Sequence, residues 1–176
     1  MRFLKNAGGN SVISELFSYT YLEKQFGVKL VNTEMEICYS TKDTGIVDYS
    51  VELDGKVYGC SVTRCFNYLD LRSKVDEVKL YRLLYKKING LYSARENMVG
   101  SKWDGLILHI LVPNSKISKQ LYNALIQYAT EILYVVTVVK YPVVYFEKPS
   151  HIQYIRKDGL NNIGTMECML PKHYVM

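Results

Sequence analysis

At 176 residues the chain has the length of a single domain, enough to bury a core without disulfide or metal staples. Its 48% hydrophobic and 22% charged residues exclude a disordered tail and a fibrous protein, and no apolar run reaches the roughly 20 residues of a membrane helix. A net charge of +5 tilts the expectation towards polyanionic partners, although a charge of this size also serves solubility.

Met1 to Lys5 lead into Asn6 and the pair Gly8-Gly9, which leaves no secretory hydrophobic region, so an intracellular location and no membrane partner are expected. Cys38, Cys60, Cys65 and Cys168 contain no C-x-x-C pair and read as reduced, with Cys38 and Cys60 packed in strands. His109, His151 and His173 share no zinc-ligand spacing with them. Sixteen tyrosines against one tryptophan suit either half-buried strand and helix faces or surfaces that stack on bases.

In chain order, Ser11 is an N-cap for a helix whose apolar face holds Val12, Ile13, Leu16, Phe17 and Phe26, with Gly27 as its terminator. Alternation from Val28 to Tyr39 predicts a strand, with Glu34 and Glu36 on one side of it. Lys42 to Gly45 form a turn. Ile46–Leu53 and Lys56–Thr63 are the arms of a hairpin closed by Asp54-Gly55. A second helix runs over Val75–Ile88 to the stop signal Asn89-Gly90, and its basic residues are Lys79, Arg82, Lys86 and Lys87. Gly105–Val112 is a strand buried on both faces, which makes His109 a core histidine. A helix over Ile117–Ile132, a strand Tyr134–Val139 and an extended piece Val143–Phe146 complete the order α-βββ-α-β-α-β. The fold class is α/β, a mixed sheet flanked by helices.

This order, with Ser14-Glu15-Leu16 and Phe26-Gly27 at the first helix, Asp48 at the start of the second strand and the Asp54-Gly55 hairpin behind it, resembles the restriction-endonuclease-like (PD-(D/E)XK) nucleases. The nearest pattern is that of the Holliday-junction resolvases. The resemblance spans about residues 11–112 and implies a single restriction-endonuclease-like domain over 1–176, an αβββαβ core with a C-terminal α-β extension. It further implies Mg²⁺ or Mn²⁺ as cofactor and nucleic acid as partner, and it leaves a homodimer open. In such enzymes two carboxylates hold the metal, while a lysine two residues after a glutamate on the third strand steadies the reacting phosphate.

Here the glutamate and lysine positions fall on Ser61 and Thr63, which cannot replace either charge. Three nearby groups can compensate. Glu36 is taken ahead of Glu34 as the missing carboxylate, Arg64 as the missing cation, and Glu52, on the strand face of Asp48, as a further ligand. The expected site is therefore Glu15, Glu36, Asp48, Ser61, Thr63 and Arg64, with Glu36 and Asp48 on the metal and Lys79, Arg82, Lys86 and Lys87 on the nucleic-acid backbone. Two functions fit: a divergent metal-dependent nuclease, or a non-catalytic nucleic-acid-binding or protein-interaction module that retains the nuclease fold.

Overall fold

The computed structural model describes residues 12–67, 69–128, 131–140 and 168–169. Helix α1 spans Val12–Phe26, followed by strand β1, Lys29–Thr33, and a 3-10 turn, Glu34–Glu36. Strands β2 (Tyr49–Leu53) and β3 (Lys56–Arg64) form the hairpin, and helix α2 runs over Glu77–Asn97. Then come β4 (Gly105–Val112), α3 (Ser115–Leu125), β5 (Ile132–Val138) and the short β6 (Cys168–Met169). Together the strands make one mixed sheet in the order β1-β2-β3-β4-β5-β6. The meander β1-β2-β3 is antiparallel, β3, β4 and β5 are parallel, and β6 is antiparallel to β5. The α/β class and the order of elements are as the periodicity predicts. Ser11 and the extended piece Val143–Phe146 lie outside the described residues.

Alternation along the central strands sorts the core into two halves. Leu106, Leu108, Ile110 and Val112 of β4 meet Leu80 and Leu84 of α2 and Ile117 and Leu121 of α3 on one face. Ile107 and Leu111 meet Tyr21 and Leu22 of α1 on the other. Each such fully buried leucine or isoleucine contributes roughly 1.5–3 kcal/mol. Among the described residues no helix is long and apolar enough to cross a membrane.

The α1 face also holds a buried hydrogen-bonded chain. The Ser18 hydroxyl, fully buried on α1, bonds Tyr49 Oη of β2 at 2.5 Å and His109 Nδ1 of β4 at 2.7 Å. His109 Nε2 reaches Thr137 Oγ1 of β5 at 2.8 Å. His109 is thus the core histidine expected, and burial pushes its imidazole down to about 3, so the ring is neutral at neutral pH.

Several boundaries move, each for a local reason. The strand expected over Val28–Tyr39 stops at Thr33 because Thr33 donates its backbone N–H and its hydroxyl to Glu36 Oε2, at 2.7 and 2.8 Å, and so nucleates the turn. Cys38, beyond that turn, is exposed instead of packed, whereas Cys60 is buried. The first arm of the hairpin starts at Tyr49, later than expected, because residues 45–47 serve as an approach loop.

Helix α2 starts after the N-cap Asp76, whose side chain accepts from Lys79 N, and it continues through Asn89-Gly90. Burial of Leu91 and Ala94 outweighs the cost of about 1 kcal/mol for a glycine in a helix. Helix α3 starts earlier, capped by Asn114, and closes at Leu125, which frees Ile132 to open β5.

The loop from Ile37 to Asp48 is strapped to the second half of α2. Ser40 N donates to Asn97 O, Thr44 Oγ1 to Ser93 O, and Val99 N to Cys38 O. Gly45 is required here, because a Cβ on it would lie 2.1 Å from the Gly90 carbonyl oxygen. This strap delivers the chain to Asp48.

Candidate functional site

Asp48 stands where β2 begins. Its backbone N–H pairs with Cys60 O at 2.9 Å, and its carboxylate Oδ2 accepts the N–H of Val62 at 2.5 Å, so the side chain is tied to the neighbouring strand. Glu15 reaches the same place from the first turn of α1, and Glu34 from the turn after β1. One carboxylate oxygen from each of Glu15, Glu34 and Asp48 lies within 4.8 Å of the others. Glu34 Oε1 is buried and has no hydrogen-bond partner among the described residues.

The crowding is electrostatically costly. Burial, reinforced by the charge of Glu15, raises the Asp48 carboxyl to about 6, against the opposing pull of Lys87, the Val62 N–H and the Ser61 hydroxyl. Glu34 is raised as well, first by burial and then by Glu15 and Asp48. Such an arrangement suits a divalent cation. One ion at about 2.0–2.6 Å from each ligand oxygen spans a gap of this size, satisfies the orphaned oxygen and neutralises the mutual repulsion. The chemistry of the donors, all carboxylate oxygens, is that of a hard ion such as Mg²⁺ or Mn²⁺.

The cation beside the cluster comes from α2. Lys87 Nζ donates to Val62 O at 3.2 Å and to Ser61 Oγ at 3.4 Å. It therefore lies against Ser61 and Val62 of β3, the serine being the position where the resemblance expects the glutamate. Ser61 is 3% exposed and its hydroxyl lies between Lys87 and Asp48. Thr63 is also buried on that strand and faces Ile110 across the β3–β4 pairing. Arg64 ends β3 on the opposite side of the ribbon from Ser61, and Lys87 is a cation whose charge lowers the Asp48 pKa.

The structure thus brings Glu15, Asp48 and Ser61 together as expected and corrects two other assignments. Glu36 does not join: it is exposed and spends its carboxylate on Thr33, which also holds its pKa down. Glu34 takes its place, because a 3-10 turn does not preserve the shared face that a strand would have given the two glutamates. Lys87 separates from the basic residues of its helix. Lys79, Arg82 and Lys86 are exposed, whereas Lys87 is partly buried at the site. Glu52, four residues along β2 from Asp48, lies about 13 Å away towards the hairpin.

Both corrections had a signal in the sequence. Thr33-Glu34-Met35-Glu36 is a T-x-x-E capping pattern. Lys87 lies seven residues after Leu80, three after Leu84 and four before Leu91, on the apolar stripe of α2.

No family model matches the chain, and no solved structure matches it significantly. The chain is similar to the AAC-rich mRNA clone AAC4 protein of Dictyostelium discoideum, 36% identical over 115 residues. That match covers 62% of this chain but 17% of the relative, so the chain corresponds to a small part of that protein's length.

Proposed function

We propose that this chain is a divergent restriction-endonuclease-like domain that hydrolyses nucleic-acid phosphodiesters with Mg²⁺ or Mn²⁺, Lys87 on α2 standing in for the lysine absent from β3. The observation that carries this reading is the meeting of three carboxylates from α1, the turn after β1 and the start of β2 with a lysine anchored on the neighbouring strand. The order of elements supports it further.

Glu15, Glu34 and Asp48 would hold the ion, which when bound supplies Lewis-acid polarisation of the phosphate and a lowered pKa for water. The Val62 N–H fixes one oxygen of Asp48. Lys87, oriented by Val62 O and Ser61 Oγ, places a positive charge beside the carboxylates, where it would stabilise negative charge growing on a phosphate oxygen. Ser61 bridges the two groups through its hydroxyl.

The presence of Ser61 and Thr63 in place of charged residues favours a second reading, a module that binds nucleic acid or protein without cutting. Calorimetric titration with Mn²⁺, paired with cleavage assays on end-labelled single- and double-stranded DNA and RNA, tests both readings. The wild type is expected to bind Mn²⁺, with roughly tenfold or greater weakening in Asp48→Ala and Glu34→Ala, a loss of about 1.4 kcal/mol. Absence of Mn²⁺ binding, or binding unchanged in Asp48→Ala, would overturn the nuclease reading. Mn²⁺ binding without cleavage of any substrate would favour the non-catalytic module.

A further inference from the structure

Helices α2 and α3 lie side by side over one face of the sheet. They are joined by Gln120, which exchanges hydrogen bonds with the backbone of Val75, and by Tyr81 Oη donating to Gln127 Oε1 at 3.3 Å. Their outward faces repeat a pattern. On α2, Lys79, Arg82, Tyr85 and Lys86 are all exposed at three- and four-residue spacing; on α3, Lys119 and Tyr122 are exposed three apart. In both helices a cation precedes a tyrosine by three residues, Arg82 before Tyr85 and Lys119 before Tyr122.

Two features set this surface apart from an ordinary solvated face. First, none of the four cations is in an ion pair among the described residues, although Glu77 sits in the first turn of α2; Arg95, at the far end of that helix, is paired with Glu131 at 3.3 Å. Second, Tyr85 is 65% exposed and Tyr122 41% exposed, whereas Tyr92 on the same helix lies under the Arg95 guanidinium at 5.5 Å. Uncovered aromatic rings interleaved with unpaired cations match a ligand that alternates flat apolar faces with regularly spaced negative charges. A single nucleic-acid strand has that composition, since its bases are free to stack and its phosphates are spread along the chain. A duplex hides its base faces within the stack and offers phosphates and groove edges to which a tyrosine ring cannot stack.

We propose that the outer face of the α2–α3 layer binds single-stranded nucleic acid, with Tyr85 and Tyr122 stacking on bases while Lys79, Arg82, Lys86 and Lys119 contact phosphates. The proposal rests on nucleic acid being the substrate class of the neighbouring carboxylate site and narrows that class to single-stranded or locally unpaired segments. Lys87 belongs to the same helix but turns inward, to Ser61 and Val62 of β3.

The test is fluorescence anisotropy with a labelled 20-nucleotide single strand and the matching duplex, in EDTA so that binding is read without cleavage. The wild type is expected to prefer the single strand. Tyr85→Ala should weaken single-strand binding roughly tenfold, within the range for loss of a base–aromatic stack, while Tyr85→Phe retains it. Arg82→Gln/Lys86→Gln should lower the slope of log Kd against log salt by about 1.4, two single-strand phosphate contacts. These residues are exposed, so folding is not at risk, and Tyr122→Ala is a second check on the other helix.

Preference for the duplex, or single-strand binding insensitive to both tyrosines, would overturn the platform. So would binding of poly-glutamate in place of nucleic acid, which would mark the face as a protein-docking surface. The outcomes separate the two proposals. Strand binding without Mn²⁺ affinity defeats the metal site alone, and Mn²⁺-dependent cleavage indifferent to Tyr85 and Tyr122 defeats the platform alone.

Discussion

The imidazole of His109 is fully buried and the carboxylate of Asp48 partly so, yet their surroundings treat them in opposite ways. Around His109 every polar atom has a partner: Ser18 and Thr137 take the two ring nitrogens, and Ser18 also holds Tyr49. The ring stays neutral and the chain ties α1 to three strands. Around Asp48 the charges crowd, one glutamate oxygen has no hydrogen-bond partner among the described residues, and Lys87, whose charge opposes the rise, is contributed by another element. A filled hydrogen-bond network contributes to stability, whereas one with crowded carboxylates and an unpartnered oxygen carries a cost that a bound cation would relieve.

The largest effect expected from disturbing this contrast is on the filled side. His109→Leu leaves the Ser18 and Thr137 hydroxyls buried without their partner and is expected to cost about 3 kcal/mol in urea unfolding, from unpaired polar groups. A loss under about 1 kcal/mol would mean that the chain is decorative.

On the unfilled side, Lys87→Met removes a charge that holds the Asp48 carboxyl down. Mn²⁺ competes with the proton on Asp48, so binding in the wild type should weaken as pH falls below about 6. In Lys87→Met that midpoint should move up by about one pH unit, equivalent to roughly 1.4 kcal/mol. A midpoint that stayed put would detach Lys87 from the site.

The two groups also differ in the sign of their linkage to pH. His109 has a folded value near 3, below its free value, so its contribution to stability is present above about 6.5 and is lost as pH falls towards 3. Asp48 has a folded value near 6, above its free value, so it penalises the fold above 6 and the penalty lifts as pH falls towards 4. Between pH 4 and 6 the slopes therefore oppose. Unfolding measured across that window should show stability rising more steeply with pH in Asp48→Asn than in the wild type, and less steeply in His109→Gln. The reverse ordering would contradict both assignments.

The smallest effect belongs to the residue that leaves the site. Glu36→Ala should remove one half of a capping box at little cost to stability and leave Mn²⁺ affinity within about twofold, in contrast to Glu34→Ala.

Much of this architecture was legible in the sequence because it follows from periodicity. The nearly unbroken apolar run Gly105–Val112, the Asp54-Gly55 turn and the spacing of Leu80, Leu84 and Ile88 are local patterns that tertiary structure reinforces. The failures came where a local signal competed with a longer pattern. Alternation over Val28–Tyr39 masked the capping pattern inside it, and the loss of strand geometry at Thr33 exchanged Glu36 for Glu34. Asn89-Gly90 read as a stop, yet Leu91 and Ala94 still had core to cover. Lys87 was grouped with its exposed neighbours by charge type, although its angular position on the helix already set it apart. Charge identifies what a residue can do; helical phase decides where it can do it.

The anchoring of Lys87 on a helix also changes what this site can tolerate over time. A lysine two residues from its carboxylate on one strand is locked to that partner by chain geometry, so neither can shift without the other. A lysine delivered by α2 depends on the packing of Leu80, Leu84 and Leu91 against the sheet and is indifferent to the length of the segment joining β3 to α2. Insertions there leave the ammonium in its place, so the spatial arrangement of two glutamates, an aspartate and a lysine does not depend on how far apart in the chain they stand.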